Sequence, residues 1–437
     1  MATNMRFNLF LFVLAIPVIH AIATIFTPYF PPGTLHPGSI RALLLIGFLA
    51  VFCCTRFSWS LPNTVIAVFL AYYMCLVFIQ SSEPLYALYQ YVRFLLWALM
   101  FPVGYYFFQN LDNLNKLNYV YIFVLAIFVC DLILANLLGY GDSSYGEETL
   151  SYGGSGVNIT KTMGLILLMA PIFYAVAKKH NFVVIMTFLF LISGIFILLG
   201  LKRSALVALV CGLAVYLLLA PRRIRAVWCI TALGGIAVIL SPLYIQQLFE
   251  RYERRQSAIE TVVSGNIQEE GRFDADIIPA IELWWDGSLK HKLFGSEVFN
   301  TEAVVRGRNM HVDYARTLVG SGLIGLILFM LIYMAIALEL HKYFRVVSDD
   351  ILAREIYAVF WALLCAVLIM GLAGTLMGIG LRAILFFYWG AMVGVMRSLA
   401  IERIDREMEN VSPDEDKVIR REIDSANARG GVVQVSS

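Results

Sequence analysis

The residues best suited to chemistry lie in Arg306-Gly-Arg308-Asn-Met-His311-Val-Asp313-Tyr-Ala-Arg316, immediately ahead of a long apolar run. An imidazole, whose ordinary pKa is near 6.5, can accept a proton from a hydroxyl group, and a carboxylate two residues away can orient it. On this reading His311 activates or positions an acceptor and Asp313 supports it. Arg308 and Arg316 flank the pair, and guanidinium forks match phosphate and pyrophosphate oxygens. More cations stand where an apolar chain has little structural use for them. Lys161, Lys202-Arg203 and Arg382 lie at the ends of apolar runs, Arg272 lies in a polar segment, and Arg93 lies inside an apolar run. A charge inside a span costs about 2.5–3.5 kcal/mol on insertion scales. Snorkelling to headgroups accounts for such a residue taken singly. Three separate helix ends with cations at one depth on one face point instead to an anion site.

The elements that must position these groups are membrane spans. The 437 residues are 60% hydrophobic and 15% charged, against about 25% charged in soluble domains. The apolar residues fall in runs of roughly twenty, the length that crosses about 30 Å of hydrocarbon as helix. Membrane barrels alternate apolar and polar residues and are excluded. The runs are 7–26, 39–55, 62–80, 88–108, 118–138, 158–177, 182–200, 203–220, 226–243, 317–338, 355–374 and 381–398, about twelve transmembrane helices in an all-α polytopic membrane protein. Only Leu201-Lys202 separates 182–200 from 203–220.

Basic residues in short loops set orientation. One set of connections holds Arg6, Arg56, Lys116, Lys178-Lys179, Arg222-Arg223-Ile-Arg225, Lys342 and Arg345, whereas 27–38, 81–87 and 139–157 hold neither Lys nor Arg. Both termini are therefore expected in the cytoplasm. The division is 1–243 as the first nine spans, 244–316 as a large, partly helical periplasmic loop, 317–400 as three further spans, and 401–437 as a charged cytoplasmic tail ending in disorder. The start reads as an uncleaved first helix, because no small-residue cleavage site follows it.

Within the loop, Tyr252–Glu260 has the charge spacing of a solvated helix. Ile277–Trp285 reads either as an interfacial helix with Trp at headgroup depth or as a sugar-stacking surface. Asp274-Ala-Asp276 fits a metal–diphosphate pattern, but the Arg set can supply the positive charge, and no metal or other cofactor is expected. The seven cysteines lack metal spacing and read as small buried hydrophobes. Gly320-Ser-Gly322-Leu-Ile-Gly325 follows no strand, so its small residues read as close helix packing rather than a phosphate loop. A net charge of +2, with the basic residues at helix ends, gives no reason to expect nucleic acid.

The stretch Met310-His311-Val-Asp313-Tyr-Ala-Arg316-Thr-Leu-Val-Gly-Ser-Gly322-Leu-Ile-Gly325-Leu resembles the signature of the O-antigen ligase and O-antigen polymerase superfamily. Leu201-Lys-Arg203-Ser-Ala-Leu resembles its basic residue before a long helix, and Gly271-Arg272 its recurring loop Gly-Arg. The chain departs from the pattern where His-Asn becomes His311-Val-Asp313 and where Lys202 replaces a small polar residue. The resemblance, over roughly residues 155–395, implies transfer of glycan from an undecaprenyl pyrophosphate carrier to a hydroxyl acceptor, on the outer face of the bacterial inner membrane. It implies that Arg203 and Arg272 hold the pyrophosphate and that His311 serves the acceptor. Topology adds Arg382, Lys202, Arg308, Arg316 and Lys161 to the anion set. The acceptor would be a growing glycan in a surface-polysaccharide polymerase, the favoured reading, or lipid A core in a ligase. A polysaccharide-lipid flippase is the alternative of another class; it would spread charges through the bilayer midplane and show inverted repeats.

Overall fold

Hydrocarbon offers no water to backbone N–H and C=O groups, so a chain of this composition must close its hydrogen bonds within helices. The computed structural model describes residues 2–30, 37–141, 153, 159–177, 180–199, 203–221, 276–300, 310, 312–373 and 379–409. Apart from one isolated bridge between Gly141 and Gly153, their regular structure is helical. The helices are α1 (Ala2–Phe26), α2 (Pro37–Arg56), α3 (Leu61–Gln80), α4 (Pro84–Ala98), α5 (Met100–Phe107), α6 (Leu111–Leu138), α7 (Ile159–Val176), α8 (His180–Leu199) and α9 (Arg203–Leu219). After the polar segment come α10 (Ile278–Asp286), α11 (Leu289–Phe294), α12 (Asp313–Val346), α13 (Ile351–Ala373) and α14 (Ile379–Glu409). Among the described residues nine helices are long and apolar enough to cross a membrane, and Ser204–Leu219 is a shorter apolar helix. The expected all-α polytopic membrane fold is borne out. The expected span 88–108 is broken at Leu99 into α4 and α5, and the expected spans 226–243 and helix 252–260 lie outside the described residues.

Local sequence sets several boundaries. Ser60 accepts a hydrogen bond from the Asn63 amide at the start of α3, with Pro62 in the first turn. Asn110 caps α6 in the same way at 2.8 Å, and Gly139 ends it with φ 70° while its amide reaches the Ala135 carbonyl. Outward faces carry exposed Val51, Phe78, Leu137, Phe188 and Leu218, as a lipid-facing surface requires. The cysteines correct the expectation of burial. None of the six described is buried, and Cys54, Cys75 and Cys130 are exposed, because a thiol facing lipid needs no protein cover.

Small residues set the core. A Cβ on Gly390 would lie 2.1 Å from the Phe101 carbonyl oxygen, one on Gly104 2.1 Å from that of Phe387, and one on Gly394 2.7 Å from that of Phe108. Thus α5 and α14 pack backbone to backbone through a Gly390-x-x-x-Gly394 spacing. That packing seats α14, and with it Arg382, against the α4–α5 break.

The small residues 320–325 allow close packing as expected, but within α12 rather than at its start. Gly322 adopts φ 67° and ψ −171°, a glycine-only conformation that kinks the helix. Its backbone lies against Leu293 and Gly295, so the end of the polar segment fills the notch. The kink leaves helical hydrogen bonds unmade, and they are replaced from outside. The Ser296 amide donates to the Val319 carbonyl at 2.9 Å, and the Tyr72 hydroxyl donates to that of Ser321 at 2.7 Å. Gly322→Ala is therefore expected to destabilise the protein by more than about 2 kcal/mol, from the strained φ together with backbone overlap. Gly47→Ala, in an open helical position, should be neutral or slightly stabilising. Thermal unfolding of the purified protein in detergent checks the pair.

Candidate functional site

The first residue of α12 and the first turn of α14 meet inside the bundle. Arg382 Nη2 donates to Asp313 Oδ2 at 2.5 Å, with the two side chains 1% and 0% exposed. The guanidinium is stacked between rings, its Cζ 5.1 Å from the centroid of Trp97 and 5.3 Å from that of Phe329, contacts worth about 2 kcal/mol when desolvated. Arg382 Nε and Nη1 make no hydrogen bond. A buried guanidinium with two unmet donors retains capacity for an anion.

A chain of hydroxyls holds Asp313 in register. Thr317 Oγ1 donates to the Asp313 carbonyl at 2.7 Å, Ser321 Oγ donates to that of Thr317 at 2.8 Å, and Tyr73 shares a 2.8 Å bond with Ser321 Oγ. Tyr314 turns the other way and donates to the Leu368 carbonyl of α13 at 2.9 Å, in space left by Gly371. Arg316, half-buried, donates through Nη2 to the Phe299 carbonyl at 3.2 Å, and its Nε is unmet. Phe299 itself has φ 69°, strained for an aromatic residue, and its ring packs at 4.8 Å from Phe94 and 5.6 Å from Tyr73. The charges of Asp313, Arg93 and Arg382 all act on Arg316. Arg93 donates to Gln90 Oε1 at 3.0 Å and lies over the Tyr89 ring.

Asp313, Arg316 and Arg382 are therefore brought together, with Arg93 in electrostatic reach. Lys161 is buried in the first turn of α7. Arg203 opens α9, and only its backbone is described. His311, Lys202, Arg272, Arg308 and Asp274 lie outside the described residues. Sequence reading missed the aromatic clamp of Trp97 and Phe329 and the Tyr73–Ser321 link, which depend on helices far apart in the chain. It also passed over Arg41, which a strict search for charges inside spans would have found. The cations share one local setting, because Lys161, Arg203, Arg316 and Arg382 all occupy the first turn of a helix. Cations there oppose the helix dipole, whereas an anion is favoured by it.

The helix α10 has one face packed on the bundle and one face open. Ala280 packs with Met310, Val312, Ala315 and Val319, while Ile281 and Trp285 stay exposed, with Leu289 of α11 exposed as well. Trp284 is turned inward to the Lys292 carbonyl at 3.0 Å.

Breaking the buried pair should be costly. Asp313→Asn, which strands the guanidinium, is expected to lose about 3–5 kcal/mol. The double variant Asp313→Leu/Arg382→Met should be closer to wild type than the sum of its two single variants. Thermal unfolding of the four proteins measures the coupling.

Comparison with known proteins adds to this geometry. Residues 188–330, about a third of the chain, match the Wzy_C family, described as O-antigen ligase. That stretch contains Arg203, Arg272, Arg308, His311, Asp313 and Arg316. No curated protein matches the chain. The match bears out the resemblance drawn from the motifs: residues 188–330 of this multi-pass membrane chain are similar to the O-antigen ligase family.

Proposed function

We propose that the protein is a glycosyltransferase that moves glycan from undecaprenyl pyrophosphate to a hydroxyl acceptor, and that it acts as a surface-polysaccharide polymerase. The observation that carries this reading is the buried Arg382, stacked on Trp97 and Phe329, paired with Asp313 and left with two free donors. The protein lies in the bacterial inner membrane with both termini cytoplasmic, and segment 244–316 caps the site from the periplasm. A nucleotide sugar is then excluded as donor, because the site faces away from the cytoplasm.

In this mechanism the acceptor hydroxyl attacks the anomeric carbon as the bond from that carbon to the pyrophosphate oxygen breaks. His311 takes the hydroxyl proton. Arg203, Arg272 and Arg382 meet the charge that develops on the leaving pyrophosphate, supported by Arg308, Arg316, Lys202 and Lys161. Attack from the opposite face inverts configuration without a covalent enzyme intermediate. Asp313 acts through Arg382, fixing the guanidinium in a low-dielectric site where it needs no reorganisation during reaction.

His311→Ala and Arg203→Ala, expressed at wild-type levels, are expected to abolish surface polysaccharide, and wild-type glycan from either would refute its assigned role. Arg382→Gln should lower turnover by about 10²–10³-fold, the loss typical of removing one charge-stabilising donor. In a strain lacking the chain, a single repeat unit on core or carrier is the polymerase outcome. Accumulated carrier-linked polymer without core attachment would identify a ligase instead.

A further inference from the structure

Outside the matched stretch, the bundle buries a second set of nitrogen donors. Arg41 is the fifth residue of α2 and only 8% exposed, so it does not snorkel to the lipid surface. Its Nε has no hydrogen-bond partner. His20, in α1, is fully buried, and neither ring nitrogen is bonded. Leaving such groups unmet is unfavourable, and more so for a charged group. Among the described residues, neither Arg41 nor Arg93 forms an ion pair with a carboxylate.

These groups converge on the site already described. The helix α1 packs on both α2 and α14, and α2 packs on α4, which carries Arg93. One turn beyond His20, Thr24 bonds back to the His20 carbonyl at 2.7 Å, and its hydroxyl sits 3.0 Å from where a Cβ of Gly380 would stand, two residues from Arg382. Charge continuity agrees, since the cation of Arg93 acts on both Arg41 and Arg316. The Asp313 carboxylate is bonded to Arg382.

We propose that Arg41, with His20 and Arg93, holds a phosphoryl group carried by a second membrane lipid, beside the Asp313–Arg382 pair. The inference rests on the reading that the protein works on lipid-linked substrates, since a polymerase must hold two molecules that each bear a phosphoryl headgroup. A guanidinium fork and an imidazole N–H match phosphate oxygens, and the first turn of α2 adds its dipole. The acceptor substrate is the expected occupant, and ordinary anionic phospholipid or free pyrophosphate would present the same chemistry.

The test uses the full chain in nanodiscs of neutral phosphatidylcholine, with undecaprenyl phosphate, phosphatidylglycerol and inorganic pyrophosphate as separate probes. Arg41→Met removes an unpaired buried charge, so without ligand it should be at least as heat-stable as wild type. Undecaprenyl phosphate should raise the Tm of wild type but not of Arg41→Met, with binding to the variant weakened at least tenfold. Arg93→Gln, at a less buried position, should weaken it by a smaller factor. Arg41-dependent binding of phosphatidylglycerol or pyrophosphate alone would support the anion site and change its source. Equal binding and equal Tm shifts in wild type and Arg41→Met, for all three probes, would overturn it. His311→Ala should retain the shift, so a failure of the glycosyltransferase reading appears in surface glycan and not in this measurement.

Discussion

One ion pair in the interior sets the arrangement of the rest. A lone guanidinium at this depth would be expelled or neutralised, and a lone carboxylate would be protonated. Asp313 and Arg382 persist because each satisfies the other and because rings of α4 and α12 sandwich the cation. The pair thereby fixes the starts of two helices separated by the whole of α13. It also explains why α5 and α14 approach through glycines, since a bulkier seam would carry Arg382 away from Trp97.

Much of this architecture is visible in the sequence, because hydrocarbon imposes a simple rule. Runs of about twenty apolar residues become helices, and every expected run within the described residues does so. The break at Leu99 is not visible, since residues 88–108 remain apolar through it. The Gly322 kink leaves a sign, three glycines near Ser321, but the use of Gly322 depends on Leu293 and Gly295 lying against it. Boundaries at polar ends are less legible. The helix α12 begins at Asp313, inside what charge patterning assigns to the loop.

The site was legible in part and for a reason. Misplaced charges are a strong signal in a membrane chain, and they led to Arg316 and Arg382. Partners are a tertiary property. Spacing in the sequence sets Asp313 beside His311, and only the fold shows its bond to an arginine 69 residues further on. Arg41 shows the opposite fault. It lies inside the expected span 39–55, but the burial that separates it from a residue reaching for headgroups is a property of the fold.

The hydrogen bond from Ser296 to Val319 carries a mechanical consequence. It supplies to α12 a bond that the kinked helix cannot make for itself. Gln80 and Glu297 add ties between the same stretch and the α3–α4 turn, through the Phe294 carbonyl and the Ser82 amide. Lifting residues 289–300 off the bundle would bare a carbonyl in apolar surroundings and pull Phe299 from between aromatic rings. This end of the polar segment is thus a structural member of the membrane bundle. A nick in the chain ahead of Leu289 would leave it seated, much as a keystone stays in place when the approach to its arch is cut.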